Sequence, residues 1–246
     1  MQRLPLHVIV IIFCAVWVIP TVGMVINSFR ALSDMQSAGW WTTLFPPHGF
    51  TLASYQQVLN IEGVQPSIVT SILITIPATV IQLTVATMGA YAFAWMKFPG
   101  KNIFFIVIVG LMVVPIQMTL VPLLSFFKVL HLNGTIMSVW LAHTGFGLPF
   151  VRFLRIAVPM TLPAIASLTI FVFLGVWNDL LVALTFLGTS QFRPFTVMIA
   201  QLTTSFGGGW QFLTAAAVLQ MALPLAVFIA LQRYFVRGVT AGSVKG

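Results

Sequence analysis

The sequence predicts an all-α, polytopic membrane protein with six transmembrane helices. Six stretches contain no Lys, Arg, Asp or Glu, namely residues 4–29, 63–96, 102–127, 132–151, 156–178 and 194–232. About 20 apolar residues in a helix span the roughly 30 Å hydrocarbon core of a bilayer, so each stretch is long enough to cross it. Apolar residues make up 59% of the 246-residue chain and charged residues only 6%. A soluble domain averages about 25% charged residues, so this composition does not suit an aqueous fold.

The apolar runs favour helices over a transmembrane β-barrel. Barrel strands are segments of about 10 residues in which apolar and polar side chains alternate. Residues 103–109 read Ile-Phe-Phe-Ile-Val-Ile-Val, without alternation. We therefore expect helices at about 6–28, 67–94, 103–126, 134–153, 156–187 and 211–236 in a single transmembrane domain covering residues 1–246.

The basic residues predict that both chain ends face the cytoplasm. Cytoplasmic segments of membrane proteins are enriched in Lys and Arg. With an inner N-terminus and six spans, eight basic residues lie inside and three lie outside. The inner set is Arg3, Lys97, Lys101, Arg152, Arg155, Arg233, Arg237 and Lys245, and the outer set is Arg30, Lys128 and Arg193. The longest outer loop then covers residues 29–66.

Several function classes are disfavoured by the residues present. The basic residues are scattered singly at helix ends, which is typical of topology signals and not of a nucleic-acid groove. No Ser/His/Asp set, paired carboxylates, phosphate-binding loop or metal-ligand spacing is apparent, so we expect no catalytic residue, bound cofactor or metal site in this chain. His7 and His143 lack metal-ligand partners in the sequence, and we interpret both as structural residues.

Polar side chains inside the predicted spans are the candidates for a transport pathway. Asp179 is the only ionisable residue of this kind other than histidine, and ionisable residues within spans often mark function. Its alternative role is to cap or hydrogen-bond a neighbouring helix. Amides both donate and accept hydrogen bonds, which suits hydroxylated solutes, although they also join helices to one another. The pathway candidates are Gln82, Gln117, Asn178, Asp179 and Gln220.

Residues 151–159 present a difficulty for this topology. Two predicted spans meet there with almost no loop, and Arg152 and Arg155 must both reach the membrane interface. Three or four residues barely suffice to join antiparallel helices. The sequence therefore predicts either a very tight hairpin or the absence of a segment.

Short motifs along nearly the whole chain resemble the permease subunits of carbohydrate-uptake ABC importers of the maltose type. Residues 27–30 (Asn-Ser-Phe-Arg) resemble the exit from the first helix. Residues 50–55 (Phe-Thr-Leu-Ala-Ser-Tyr) match an outer-loop pattern, with Ser54 in place of Asn. Further matches are residues 90–94, 98–101, 114–122, 147–150, 177–179 and the tail 238–246.

The sequence departs from the family between helices four and five. The family has a coupling loop there with a Glu-Ala-Ala and an Asp-Gly-Ala pattern, which docks on the ATPase. Residues 147–154 match its beginning and residues 155–163 match its end, but about 30 residues between them are missing near 152–158. Either a mobile segment is left out and the residues are numbered continuously across it, or the deletion is real and should abolish coupling. An intact mass near 27.0 kDa would exclude the first explanation.

The resemblance implies the type I ABC importer permease fold and one half of an alternating-access pathway for a di- or oligosaccharide. It implies a second homologous permease subunit, two ATPase subunits that carry ATP and Mg²⁺, and an extracytoplasmic solute-binding protein. The implied location is the bacterial inner membrane. The alternatives are an ion-coupled secondary transporter and an ABC importer of another solute, such as a glycerophosphodiester. The resemblance places the coupling region at Arg152, Arg155, Pro159 and Pro163, and a C-terminal ATPase contact at Gly238, Thr240, Gly242 and Lys245.

Overall fold

The structure, a computed structural model, describes residues 4–111, 113–147, 162–188, 190–205 and 209–241. Regular structure in these ranges is helical, apart from the isolated β-bridges Arg30–Phe50 and Leu44–Pro47. The helices are α1 Leu4–Ser28, α2 Leu32–Ser37, a 3₁₀ helix Trp40–Thr43, α3 Ala53–Asn60, α4 Val64–Trp95, α5 Lys101–Leu111, α6 Ile116–Val129, α7 Ile136–Gly147, α8 Leu162–Trp177, α9 Leu181–Leu187, α10 Phe195–Ser205 and α11 Trp210–Ala241.

Three described helices are long and apolar enough to cross a membrane by themselves: α1, α4 and residues Trp210–Phe235 of α11. Two pairs of helices, α5 with α6 and α8 with α9, pass the same test only when each pair is counted as one broken span. The described part of the chain therefore contains three to five candidate spans. The chain is an integral membrane protein, and the six-helix count and the orientation stay predictions.

Two of the predicted spans are interrupted in the structure. The region predicted as one helix at 103–126 contains α5 and α6, and the region predicted at 156–187 contains α8 and α9. The axes of α8 and α9 differ by 53° across the break at Asn178–Leu180. The predicted span at 134–153 begins with α7, and its last residues lie outside the described ranges.

The first compact unit comprises Met1–Gln65 and Ile199–Ala222. Helix α1 is apolar around its whole circumference and has few buried residues, as expected for a helix that faces lipid or another subunit. Near its C-terminal end the ring of Trp40 packs on Gly23. A Cβ added at Gly23 would lie 2.8 Å from Trp40 Nε1, so this approach requires glycine.

Arg30 holds the segment that follows α1 in place. Its side chain is only 2% exposed. One guanidinium nitrogen donates to Asn27 Oδ1 at 2.9 Å, and the other donates to the backbone oxygens of Asp34 at 2.7 Å and Ala38 at 3.0 Å. The planar guanidinium can thus join Asn27, near the end of α1, to the backbone oxygens of Asp34 in α2 and of Ala38 directly after it.

The second unit comprises Pro66–Met198 and Leu223–Gly246, and it contains the main apolar cluster. Helix α9 packs against α6 and α7, where the rings of Phe127 and Phe186 meet edge to face at 5.3 Å. Ala86 and Ala90 on α4 are each 1% exposed within the cluster. Small residues of this kind let helix backbones approach closely, which stabilises helix packing in a membrane.

A proline in α4 leaves one backbone carbonyl without its helical hydrogen bond, and a side chain of a neighbouring helix bonds that carbonyl instead. Pro77 has no N–H, so the carbonyl oxygen of Leu73 loses the partner that position i+4 normally supplies. The indole nitrogen of Trp140 on α7 donates to this same oxygen at 3.1 Å. The bond satisfies a carbonyl that lipid cannot hydrate and ties α7 to α4.

Candidate functional site

Polar residues from several helices of the second unit meet at one point, here called the polar junction. They surround a space of about 10 Å³, close to the volume that one water molecule requires. The polar members come from α4, α7, the break between α8 and α9, and the first turn of α10: Ser71, Thr75, His143, Asp179 and Thr196.

Asp179 connects three parts of the polar junction. Its Oδ1 accepts a hydrogen bond from the backbone N–H of Val182 at 2.9 Å, in the first turn of α9. Its Oδ2 lies 3.7 Å from Nε2 of His143 on α7. Its backbone oxygen accepts a bond from the hydroxyl of Thr196 at 3.4 Å. The carboxylate therefore stabilises the free N–H groups at the start of α9 and holds the bend between α8 and α9 beside α7.

Ser71 performs a similar role for α10. Its hydroxyl oxygen accepts a hydrogen bond from the backbone N–H of Phe195, the first residue of α10, at 2.7 Å. Both residues are buried, with Ser71 3% and Phe195 1% exposed. This N–H lies in the first turn and has no partner within its own helix, so the serine supplies the bond that burial makes necessary.

A polar stripe continues from the junction along α4. Ser71, Thr75, Thr79 and Gln82 are spaced by four, four and three residues, and they consequently share one helix face. Each is no more than 6% exposed. The hydroxyl of Thr79 is buried and has no hydrogen-bond partner among the described residues. The stripe ends where Gln82 meets the C-terminal end of α7.

The contact between Gln82 and α7 requires a glycine. A Cβ built on Gly147 would overlap Nε2, Cδ and Cγ of Gln82. A real Cβ cannot approach so closely, so the amide occupies the space that an alanine methyl group would fill. Gly147 therefore lets α7 come close enough to α4 to cover the end of the polar stripe.

The structure brings only part of the predicted pathway set together. Asp179 lies in the polar junction, and Gln82 lies on the stripe that leaves it. Gln117 is exposed, and Asn178 is exposed and donates to the backbone oxygen of Leu174 at 3.0 Å. Gln220 is 9% exposed and belongs to the first unit.

The predicted coupling residues are largely outside the described ranges. Arg152, Arg155, Pro159, Gly242 and Lys245 all fall outside them. Pro163 lies in α8, and Gly238 and Thr240 lie near the end of α11. Their contact with an ATPase stays a prediction.

Sequence reasoning missed the hydroxyl residues of the junction. Ser71, Thr75 and Thr79 recur every four residues in an apolar stretch, a visible signal for a polar stripe on one helix face. No such signal pairs His143 with Asp179, because the two are 36 positions apart in the sequence and meet only through packing. Among the described residues, no group of three or more His, Cys, Asp or Glu side chains is arranged to hold a metal ion.

Curated relatives match nearly the full length of the chain, although no family model matches it. The osmoprotective compounds uptake permease protein GgtD of Synechocystis is 43% identical, over 99% of this chain and 93% of the relative. The alpha-glucoside transport system permease protein AglG of Rhizobium meliloti is 42% identical, over 89% of this chain and 68% of the relative. The arabinooligosaccharides transport system permease protein AraQ of Halalkalibacterium halodurans is 27% identical, over 93% of this chain and 91% of the relative.

A solved structure has the same fold. It is a bacterial ABC transporter involved in the import of the acidic polysaccharide alginate, and it superposes with a TM-score of 0.73. The match covers 93% of this chain and 94% of the other, at 17% sequence identity. At that identity the likeness concerns the fold.

The alignment with GgtD is longer than the chain itself. The alignment extends over 276 positions, whereas the whole chain has 246 residues. At least 30 aligned positions of the relative therefore face no residue of this chain.

Proposed function

Since this chain belongs to the permease subunits of sugar ABC importers, we propose that it forms one half of an alternating-access pathway for a small glucoside in a bacterial inner membrane. The chain is a transport subunit and not an enzyme. The observation that carries the proposed substrate class is the identity of 42–43% to two relatives named for osmoprotective compounds and for alpha-glucosides. A di- or oligosaccharide of this kind presents many hydroxyl groups, which buried amides and hydroxyls can bind.

The proposed assembly contains four further proteins. A second homologous permease subunit completes the pathway, two ATPase subunits bind ATP and Mg²⁺ on the cytoplasmic face, and an extracytoplasmic binding protein delivers the sugar. Eight of the eleven basic residues fall on the inner side when both ends are cytoplasmic, which supports that orientation. The chain has no nucleotide-binding motif of its own, so the partner subunits supply the energy.

Alternating access in this assembly is a rigid-body movement driven by the nucleotide. ATP binds one conformation of the complex better than the other and shifts the equilibrium toward it. The polar junction suits such a movement, because Asp179, His143 and Ser71 hold α4, α7, α9 and α10 at fixed points. The bend between α8 and α9 then moves as one piece with its neighbours.

In the proposed assembly, coupling to the ATPase depends on a loop near residues 152–158 that this sequence lacks by comparison with the family pattern. The 30 or more unmatched positions of the alignment support an internal absence of this size. We infer that the missing segment is the coupling loop and that Arg152, Arg155, Pro159 and Pro163 flank it. Intact mass spectrometry decides whether the protein contains this segment, because a mass near 27.0 kDa would show that the chain itself lacks it.

Reconstitution of the complex tests the proposed function. The permease, its partner permease and the ATPase subunits are purified together and reconstituted in vesicles. The binding protein and the sugar are placed on one side of the membrane and ATP on the other. Uptake of a labelled α-glucoside should require ATP and the binding protein, and the sugar should stimulate ATP hydrolysis. An ion-coupled carrier would instead use the Asp179–His143 pair as its ion site, and its uptake would continue without ATP in an ion gradient.

A further inference from the structure

The first unit contains a cleft of about 550 Å³ that the transport pathway does not account for. It lies between residues 31–57 and the first turn of α11. This volume is within the range of about 300–1,000 Å³ that small-molecule sites usually occupy. The side chains that matter for its chemistry are those of Asp34, Phe50, Thr51, Ser54, Gln57 and Gln211.

Two side chains of the cleft, those of Gln211 and Asp34, carry hydrogen-bond acceptors. The side-chain oxygen of Gln211 is buried and has no hydrogen-bond partner among the described residues. Within the described ranges, the carboxylate of Asp34 accepts a single long bond of 3.5 Å from the hydroxyl of Ser33. A carboxylate cannot donate when ionised, and a buried acceptor without a partner destabilises the free protein. A ligand that fits this cleft must therefore bring donors.

The charge around the cleft favours a neutral ligand over a cation. Arg30 is almost fully buried and donates to the backbone oxygen of Asp34 at 2.7 Å. A fixed positive charge thus lies in the same short segment as the carboxylate and partly offsets its charge. Hydroxyl groups satisfy the acceptors without adding a second positive charge.

Phe50 gives the cleft an apolar surface beside its polar groups. Its ring is 50% exposed, while Thr51, Ser54 and Gln57 add hydroxyl and amide groups to the same lining. A polyhydroxylated ring compound has both an apolar C–H face and a rim of hydroxyl donors and acceptors. The combination of one exposed aromatic face with convergent polar groups matches that chemistry.

We propose that this cleft is a binding site for a neutral sugar, separate from the polar junction in the second unit. The choice of a sugar among polyhydroxylated ligands rests on the proposed function. On the proposed outer face, the cleft would hold sugar on the side of the membrane from which it is taken up. Gln211 accepts a hydroxyl hydrogen through its unpartnered oxygen, and Asp34 accepts another.

Saturation-transfer NMR with maltose tests the proposal on the assembled transporter in nanodiscs, without the binding protein. The wild-type complex should show saturation transfer to maltose. Gln211→Leu removes the buried acceptor at similar side-chain length, and Asp34→Asn replaces one carboxylate acceptor oxygen with an amide donor at nearly constant shape. Each should weaken maltose binding about fivefold to tenfold, as expected for the loss of one good hydrogen bond. Gln56→Leu, on the exposed side of α3 and outside the cleft, is the matched control and should bind like the wild type.

Each other outcome overturns the proposal. An absent wild-type signal, or an unchanged signal in both Gln211→Leu and Asp34→Asn, would mean that no sugar occupies the cleft. Weaker association with the binding protein in these variants, without any maltose signal, would assign the cleft to a protein contact. Sugar-stimulated ATP hydrolysis is measured in parallel with the binding protein present. If that stimulation occurs without a cleft signal, only this inference fails, whereas its absence with every sugar tested counts against the proposed function.

Discussion

The bond from Trp140 to the carbonyl oxygen of Leu73 makes a quantitative prediction about the membrane fold. Pro77 leaves this oxygen without its helical partner, and the indole N–H replaces that partner from α7 at 3.1 Å. Trp140→Phe keeps an aromatic ring at the site but removes the donor. In lipid no water replaces it, so the variant should lower the free energy of unfolding by about 1–2 kcal/mol.

A second substitution separates the lost bond from the smaller ring. Pro77→Ala restores an N–H at position 77, which can donate to Leu73 within α4. In the Pro77→Ala background the carbonyl has a partner again, so Trp140→Phe should there cost only its packing loss. The double-mutant cycle should yield a coupling energy of about 1 kcal/mol between the two positions.

Unfolding of the purified complex in mild detergent measures this cycle, with the intrinsic fluorescence of the wild type and the three variants followed against denaturant. Trp140→Tyr serves as a control for aromatic packing with a different polar group. Strict additivity of the two single substitutions would refute the idea that Trp140 compensates for the proline. A Trp140→Phe variant as stable as the wild type would do the same.

Three further predictions concern the other close contacts. Gly147→Ala should destabilise the protein by about 1–3 kcal/mol in thermal unfolding, because the new methyl group overlaps the amide of Gln82; Gln82→Ala in the same chain should recover most of the loss. Ser71→Ala should cost about 1–3 kcal/mol by leaving the buried N–H of Phe195 unpaired, and Ser71→Thr should cost less. Arg30→Lys should leave assembly intact but speed limited proteolysis of residues 31–50, since one ammonium group cannot replace the forked contacts of the guanidinium.

The membrane class and the family could be predicted from the sequence because they depend on features that are local or strictly ordered along the chain. Uncharged runs longer than 20 residues indicate spans whatever their tertiary packing. The breaks inside two of those runs could not be located in the same way, since transmembrane helices tolerate Pro and polar residues when neighbours satisfy the freed groups. Pro115 and Asp179 lie at these breaks, but equally Pro77 lies inside a continuous helix.

The candidate site could be predicted only one residue at a time. Asp179 is recognisable in the sequence as an acidic residue in an apolar run, and its structural alternatives, capping and contact with a neighbouring helix, are both present in its geometry, while its pathway role stays a prediction. His143 was interpreted as a structural residue, and its carboxylate partner depends on the packing of α7 against the break before α9. The burial of Arg30 could not be predicted from the sequence either. Its partners are mostly backbone oxygens, and no sequence pattern indicates which backbone oxygens will be near.

The contacts that organise the second unit share one physical cause. Each interruption of a helix exposes a backbone group that lipid cannot satisfy, and a side chain from elsewhere bonds it: Trp140 for the carbonyl opposite Pro77, Asp179 for the start of α9, and Ser71 for the start of α10. Because an unpaired group is costly in a bilayer, separating these helices singly would break such bonds without replacement. Movement of the helices as a packed group keeps every bond. The polar residues of this unit therefore favour a transport cycle of rigid-body rotation over one in which individual helices slide.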